Sequence, residues 1–129
     1  MLKKLTPNLM VEDVQQTLAF YTEVLGFTVM TTVPEHPPFG FAIVQRDQVT
    51  LMFQSRPSLS ENVPALTGSP IGASQTFYIE VEGVLDLYEA LREKVEIVVN
   101  LHKTFYGTQE FYFRDCNGYI LSFSEALSV

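Results

Sequence analysis

The sequence of 129 residues has little of what marks several large classes of protein. Its one cysteine, Cys116, cannot form a disulfide within the chain, which fits a reducing compartment. No apolar run approaches the roughly 20 residues of a membrane-spanning helix. The first ten residues also lack the long apolar core of a signal peptide. We therefore expect a cytoplasmic protein that has no membrane partner.

Positive charge is scarce as well. The sequence has 8 lysines and arginines against 15 aspartates and glutamates, which gives a net charge of −7. Nucleic-acid binding normally requires a basic surface, so we expect no nucleic-acid partner. The summed negative field favours neutral or cationic small ligands. A hydrophobic fraction of 47% and a charged fraction of 18% predict a folded globular chain that buries its own core.

One pattern of residues occurs twice. The stretch TPNLMVEDV at residues 6–14 returns seventy residues later, at residues 76–84, as TFYIEVEGV. In each copy an alternating strand leads into an apolar helical stripe. Asp13 is placed to cap the first helix and Gly26 to end it. The two stripes are Val14, Leu18, Tyr21 and Leu25, then Val84, Tyr88, Leu91 and Val95.

Each helix is followed by three stretches that are rich in β-branched and aromatic residues and are typical of strands. We therefore predict an α+β fold of two βαβββ modules, each a curled mixed sheet with one helix on its convex face. The prediction is a single domain over 1–129, with module one at about 1–56, a linker at about 57–74 and module two at about 75–129. The linker could contain a helical turn near residues 59–66, and it could equally be a lid over a site.

Alternation also predicts which sheet face is left open by the helices. Leu5, Leu9 and Val11 should lie under the first helix, with Thr6 and Asn8 on the opposite face. We call this opposite face of each sheet the open face. On it we expect Thr6, Asn8, Met52, Gln54, Thr76, Tyr78, Glu80, Ser122 and Ser124.

Aromatic residues are also expected on the open face. A two-residue turn at Asn117-Gly118 would pair Phe113 with Ser122 or Ile120. That register places Phe111 and Phe113 on the open face and, by the repeat, Phe41 and Ile43. Bulky aromatics mixed with hydroxyls are typical of a small-molecule pocket, although a second core or a dimer interface fits the same residues.

The duplicated unit resembles a known superfamily. Together with FYTEVLGF at 20–27 and RDCNGYILSF at 114–123, it is similar to the vicinal oxygen chelate superfamily over Leu5–Glu125. That superfamily includes glyoxalase I, extradiol dioxygenases, fosfomycin-resistance enzymes and bleomycin-resistance proteins. Cys116 departs from its pattern, which usually has proline in this turn.

The resemblance implies where a metal would be held. The metal-dependent members take one ligand from the first strand and one from the last strand of each module, which correspond here to Thr6, Met52, Thr76 and Ser122. A divalent metal prefers imidazole or carboxylate groups to hydroxyls and a thioether. We therefore expect no metal and no other cofactor.

Catalytic residues are not evident elsewhere. His36 and His102 show no metal-binding pattern, and Cys116 has no recognisable histidine partner. Glu80 could act as a base if burial raised its pKa, although a solvated position is the simpler expectation. We therefore predict no catalytic residue.

The sequence looks most like the metal-free, bleomycin-resistance-like branch of the superfamily. The resemblance implies a homodimer that binds a partly aromatic, neutral or cationic small molecule, as proteins that sequester a drug or toxin do. The alternatives are a lyase, isomerase or dioxygenase with displaced metal ligands, and a structural or regulatory dimer whose pocket is filled. The expected ligand-binding residues are Thr6, Asn8, Phe41, Met52, Thr76, Tyr78, Phe111, Phe113 and Ser122.

Overall fold

The computed structural model describes residues 1–128, which divide into two compact units, Met1–Ile71 and the described residues from Gly72 onward. The first contains β1 (Asn8–Val11), α1 (Val14–Glu23), β2 (Thr28–Val33), β3 (Phe41–Arg46), β4 (Val49–Ser55), α2 (Arg56–Asn62) and a 3-10 turn (Pro64–Leu66). The second contains β5 (Thr76–Glu80), α3 (Val84–Leu91), β6 (Glu96–Lys103), β7 (Thr108–Arg114) and β8 (Ile120–Ala126). No helix among these residues is long and apolar enough to cross a membrane.

Each unit is built around one open, mixed, four-stranded sheet. The strand orders are β1-β4-β3-β2 and β5-β8-β7-β6. The first strand pairs in parallel with the last in both sheets, and the other pairs are antiparallel. The predicted α+β fold of two βαβββ modules is therefore confirmed. That the modules together form one domain stays a prediction.

The first helix begins and ends as its sequence predicts. The backbone N–H of Gln16 donates to Asp13 Oδ1 at 3.1 Å, which caps the N-terminus of α1. Gly26 follows the helix with φ of +71°, a left-handed conformation that disfavours a Cβ. Tyr21, on the inner face of α1, is fully buried, and its ring centroid lies 4.7 Å from that of Phe53. Leu5, in contrast, was predicted to be buried but is exposed, because it precedes β1.

The helix of the second unit is capped from another strand. Gly83 precedes α3 and has no side chain to accept a hydrogen bond from the free N–H groups of the first turn. The carboxylate of Glu125, on β8, accepts from the N–H groups of both Gly83 and Val84 at 3.0 Å. These two hydrogen bonds hold the pKa of Glu125 below its ordinary value.

The segment between the modules is more ordered than a plain linker. Helix α2 begins at a Ser55 cap and buries Leu59, and the 3-10 turn follows it. The predicted helical turn is therefore confirmed, and it starts earlier than expected. The Gln54 amide donates to Ser58 Oγ at 2.8 Å, which ties α2 to the end of β4. Whether this segment acts as a lid stays a prediction.

The hairpin between β7 and β8 differs from the predicted two-residue turn. Arg114 pairs with Ile120, so five residues form the loop, whereas the hairpin of the first unit pairs Arg46 with Val49 across two. The Asp115 carboxylate holds the longer loop by accepting the N–H groups of Asn117 at 2.8 Å and Tyr119 at 2.9 Å. The observed loop is three residues longer than the predicted one. Because side chains of a strand alternate between the two faces, an odd difference in loop length reverses which residues of β7 face the helix.

The altered register corrects two site predictions. Phe111 pairs with Phe123 and Phe113 with Leu121, and all four side chains are buried. The Phe111 ring centroid lies 5.1 Å from that of Tyr88 on α3, so these phenylalanines face the helix. The prediction that Phe111 and Phe113 lie on the open face is therefore wrong.

Replacing Asp115 with alanine is expected to destabilise the chain by about 2 kcal/mol, because two N–H groups in the hairpin lose their acceptor. Equilibrium denaturation by urea would measure the loss. Asp115→Asn keeps an acceptor oxygen and is the matched control, with an expected loss of about 1 kcal/mol or less. Equal losses in the two variants would show that these hydrogen bonds do not hold the loop.

Candidate functional site

The open face of the second sheet carries a buried carboxylate. Glu110 on β7 pairs with Ser124 on β8, and the neighbouring row joins Tyr112, Ser122 and Tyr78. The exposed fraction of Glu110 is 1%, and that of Ser122 is 0%. A glutamate is rarely buried to this extent unless it is paired, so its contacts identify the candidate site.

Four hydroxyl groups donate hydrogen bonds to Glu110. Tyr106 and Tyr112 donate to Oε1, the latter at 3.3 Å. Tyr78 and Thr108 donate to Oε2, each at 3.0 Å. An ionised carboxylate has about four acceptor positions, so these hydroxyls occupy its full capacity.

These contacts come from separate elements of the second unit. Tyr78 lies on β5, Thr108 and Tyr112 on β7, and Tyr106 in the turn that precedes β7. The Tyr78 hydroxyl also shares a 2.7 Å hydrogen bond with Ser124 Oγ on β8. We call this set the Glu110 cluster, which consists of Tyr78, Tyr106, Thr108, Glu110, Tyr112 and Ser124.

No positively charged side chain balances the carboxylate. Four ion pairs join residues between 1 and 128, and none of them includes Glu110. His102 lies opposite Glu110 in the β6–β7 register, but its Nδ1 is 2.8 Å from the carbonyl oxygen of Asn100. The cluster therefore places a buried negative charge among neutral hydroxyls.

The surroundings shift the pKa values of Glu110, Tyr106 and Tyr112 away from neutrality. Burial acts to raise the pKa of Glu110, but hydrogen bonds from the hydroxyl groups of the cluster, that of Tyr106 first among them, outweigh it, so that pKa is lowered. The hydrogen bond to Glu110, together with burial, raises the pKa of Tyr106 to about 12. The pKa of Tyr112 is also raised, mainly by burial. A general acid or base works best with a pKa near the operating pH, so these groups suit binding better than proton transfer.

The first unit carries a neutral counterpart. Asn8 and Gln54 occupy the positions that match Tyr78 and Ser124 seventy residues later, and the Asn8 amide donates to Gln54 Oε1 at 2.9 Å. Phe41 pairs with Gln54 in the way that Glu110 pairs with Ser124. The open face of the first module therefore carries side-chain amides and an aromatic ring, whereas that of the second module carries a carboxylate and tyrosines.

The remaining predicted site residues are placed as follows. Phe41 and Met52 lie half-buried on the open face of the first sheet, and Thr6 precedes β1. Thr76 is exposed on β5. Ser122 Oγ is buried without a hydrogen-bond partner. Of the nine predicted residues, Tyr78 belongs to the Glu110 cluster, and the binding roles of those on the open faces stay predictions.

Comparison with known proteins gives the family. A model of the Glyoxalase/Bleomycin resistance protein/Dioxygenase superfamily matches residues 5–123. The chain belongs to this superfamily. Bleomycin resistance proteins of Geobacillus stearothermophilus and of Staphylococcus aureus are each 30% identical to it over 93 residues, which is 67% of either chain.

Solved structures of this superfamily share the fold. One from Nocardioides superposes with a TM-score of 0.78 at 23% identity, covering 99% of this chain and 87% of its own. One from Sphaerobacter thermophilus gives a TM-score of 0.78 at 20% identity, covering 97% and 98%. At such identities the likeness shows the fold alone.

The residues that stand, by the resemblance, at the metal-ligand positions of the superfamily do not suit a divalent ion. Thr6, Met52, Thr76 and Ser122 offer three neutral hydroxyls and a thioether, which are poor ligands for a divalent ion. Within residues 1–128, no group of three or more histidine, cysteine, aspartate or glutamate side chains could hold a metal. The donor set therefore does not fit the family metal.

Sequence reasoning missed most of the Glu110 cluster. Thr108, Glu110 and Tyr112 alternate with Phe111 and Phe113 along TQEFYF, so they must occupy the opposite face from the phenylalanines. That alternation was readable. Which of the two sets faces the helix depends on the length of the hairpin loop, and Tyr106 lies outside any strand.

Proposed function

We propose that this chain is a binding protein for a small organic molecule that carries positive charge, and that it binds this molecule without a metal ion. The observation that carries the proposal is the buried Glu110 carboxylate, which has four hydroxyl donors and no cationic partner among residues 1–128. A buried charge gains most from a partner of opposite sign, and a ligand can supply that partner. The net charge of −7 attracts such a ligand from solution.

Binding is favoured over catalysis by the state of the cluster. The lowered pKa of Glu110 and the raised pKa values of Tyr106 and Tyr112 keep a carboxylate and two neutral phenols at neutral pH. These groups can hold a charge in place but are poorly suited to exchanging a proton with a substrate. The relatives named bleomycin resistance proteins support a role in drug sequestration.

The open sheet edges support a homodimer. Strands β2 and β6 each lie at an edge and expose apolar side chains, including Met30 on β2 and Val99 on β6. Edge strands of this kind pair readily with a second copy of the chain. The proposed assembly is therefore a homodimer, which sedimentation at several protein concentrations would detect.

Metal-free bleomycin, a cationic glycopeptide, is the probe for the proposed function. We expect calorimetric titration in excess EDTA to give a dissociation constant of about 10 μM or tighter, because the buried carboxylate attracts the drug. Glu110→Gln should weaken binding about tenfold, which corresponds to about 1.4 kcal/mol. Glu82→Gln is the matched control, because it removes an equal charge from an exposed position of the same unit.

Two results would contradict the proposal. If bleomycin gave binding heat without EDTA but none in excess EDTA, a metal ion would be required for binding. Equal affinity in Glu110→Gln and wild type would place the site elsewhere or indicate that the cluster is structural. Circular dichroism of each variant would establish that it is folded before its affinity is interpreted.

A further inference from the structure

We infer that the Glu110 cluster binds a fully substituted ammonium group, one that carries alkyl groups and no N–H, in preference to a primary amine or a metal ion. The inference rests on the proposed function and names the ligand class of the same site. It depends on three features of the second unit: the saturated carboxylate, the partly exposed tyrosine rings and one unpaired hydroxyl.

The Glu110 carboxylate is negatively charged, but all of its hydrogen-bond acceptor positions are occupied. Tyr106 and Tyr112 occupy Oε1, and Tyr78 and Thr108 occupy Oε2. A primary ammonium group brings three N–H donors, each of which needs an acceptor. A metal ion likewise needs the oxygen lone pairs directly. Either ligand must displace hydroxyls, whereas a substituted ammonium needs only the field of the buried charge.

The tyrosines supply the contact surface that such a group prefers. The exposed fractions of Tyr78 and Tyr106 are 50% and 54%, although their hydroxyls reach the buried carboxylate. A cation is attracted to an aromatic ring when it lies within about 6 Å of the ring centroid, and quaternary ammonium groups are recognised in this way. A phenol that donates to an anion becomes more electron-rich, because hydrogen bonds in a low dielectric polarise one another.

The adjoining turn extends this aromatic surface. Phe105 is 99% exposed, and its ring meets that of Tyr106 edge to face, with centroids 5.1 Å apart. A bulky alkyl ammonium group can cover such rings and lose little hydration, because its charge is shielded by carbon. The exposed aromatic turn is therefore suited to a large and weakly hydrated cation.

Ser122 provides an unused hydrogen-bonding group beside the cluster. Its hydroxyl is fully buried without a partner, in the row between Tyr78 and Tyr112. An unpaired buried hydroxyl costs free energy, and a polar atom of a ligand can relieve that cost. The expected ligand therefore carries a hydrogen-bonding group close to its cationic centre.

Three small probes that share a hydroxyethyl chain separate the effect of charge from the effect of alkyl substitution. They are choline, its primary-amine analogue ethanolamine, and its neutral isostere 3,3-dimethylbutan-1-ol. Calorimetric titration of the full chain should show choline binding at least about tenfold tighter than either of the others, a difference of about 1.4 kcal/mol. Ethanolamine binding as tightly as choline would overturn the preference for substitution. Equal binding of the neutral alcohol would overturn the role of charge.

Tyr106 variants test the ring separately from the carboxylate. Tyr106→Leu should weaken choline binding at least about fivefold, because the aromatic face is lost, while Tyr106→Phe retains most of it. Half of Tyr106 is exposed, so these variants should fold. Equal affinities in the two variants would overturn the aromatic contact.

The bleomycin titration distinguishes the two levels of the proposal. If bleomycin binds in a Glu110-dependent manner but choline does not bind, the ammonium inference fails and the proposed function stands. If choline binds as described but bleomycin does not, the cluster is a cation site and sequestration of that drug is excluded. If neither binds, both fail.

Discussion

Replacing Phe113 with alanine is expected to lower the free energy of unfolding by about 3–5 kcal/mol. Phe113 is fully buried under α3, and its ring centroid lies 5.3 Å from that of Phe123 and 5.8 Å from that of Phe111. Truncation removes the buried ring and leaves a cavity that this packed cluster cannot close. Urea denaturation monitored by circular dichroism would measure the loss.

The matched control comes from the other module. Phe41→Ala removes the same ring from a half-buried position on an open face, so we expect a loss of about 1 kcal/mol. If Phe113→Ala does not fold, Phe113→Leu offers a smaller change with an expected loss of about 1–2 kcal/mol. Equal losses at Phe113 and Phe41 would contradict the observed register, because both rings would then be equally buried.

Replacing Glu110 with glutamine is expected to cost about 2–4 kcal/mol of stability at pH 7. Glutamine has a similar shape, but its NH₂ group cannot accept from the hydroxyls that now donate to the carboxylate. At least one buried hydroxyl would lose its acceptor. Chemical denaturation at pH 7 would measure the difference.

The Glu110 carboxylate should also make the stability of the protein depend on pH in the acid range. The pKa of Glu110 in the folded chain lies below its ordinary value of 4.5, because four hydroxyls stabilise the charged form. Its contribution is therefore present above about pH 4.5 and is lost as the pH falls through the lowered pKa. Denaturation between pH 6 and pH 3 should show a steeper loss of stability in wild type than in Glu110→Gln.

Exposed carboxylates serve as the control for the acid experiment. Glu82 lies on the surface beyond the end of β5, so Glu82→Gln should leave the pH dependence of stability close to that of wild type. A Glu110→Gln variant that follows wild type throughout the acid range would show that Glu110 is not held ionised by the fold.

The repeated modules could be predicted because their signals are local. The helical stripe from Val14 to Leu25 and the Asp13 cap depend on residues within a few positions of one another. The strand after each helix, the open α+β architecture and the superfamily resemblance followed from the same repeated pattern. The structure and the comparisons confirm each of these.

The candidate site could be predicted only in part. Tyr78 was placed on the open face because β5 alternates clearly. The aromatic residues of β7 were assigned to the wrong face, because the prediction took Asn117-Gly118 for a two-residue turn. The charge at the centre of the site, Glu110, was missed for the same reason.

The sequence alone determined the elements of this protein, their order and their repetition, because caps and hydrophobic periodicity act over a few residues. The tertiary structure alone decided which side of β7 meets the helix. Asp115 stabilises a five-residue loop, and the resulting register buries Phe111 and Phe113 while it brings Glu110 to Tyr78. Because side chains alternate between the two faces of a strand, a change of one residue in the length of the loop would move the core residues of β7 to the open face and the site residues to the core.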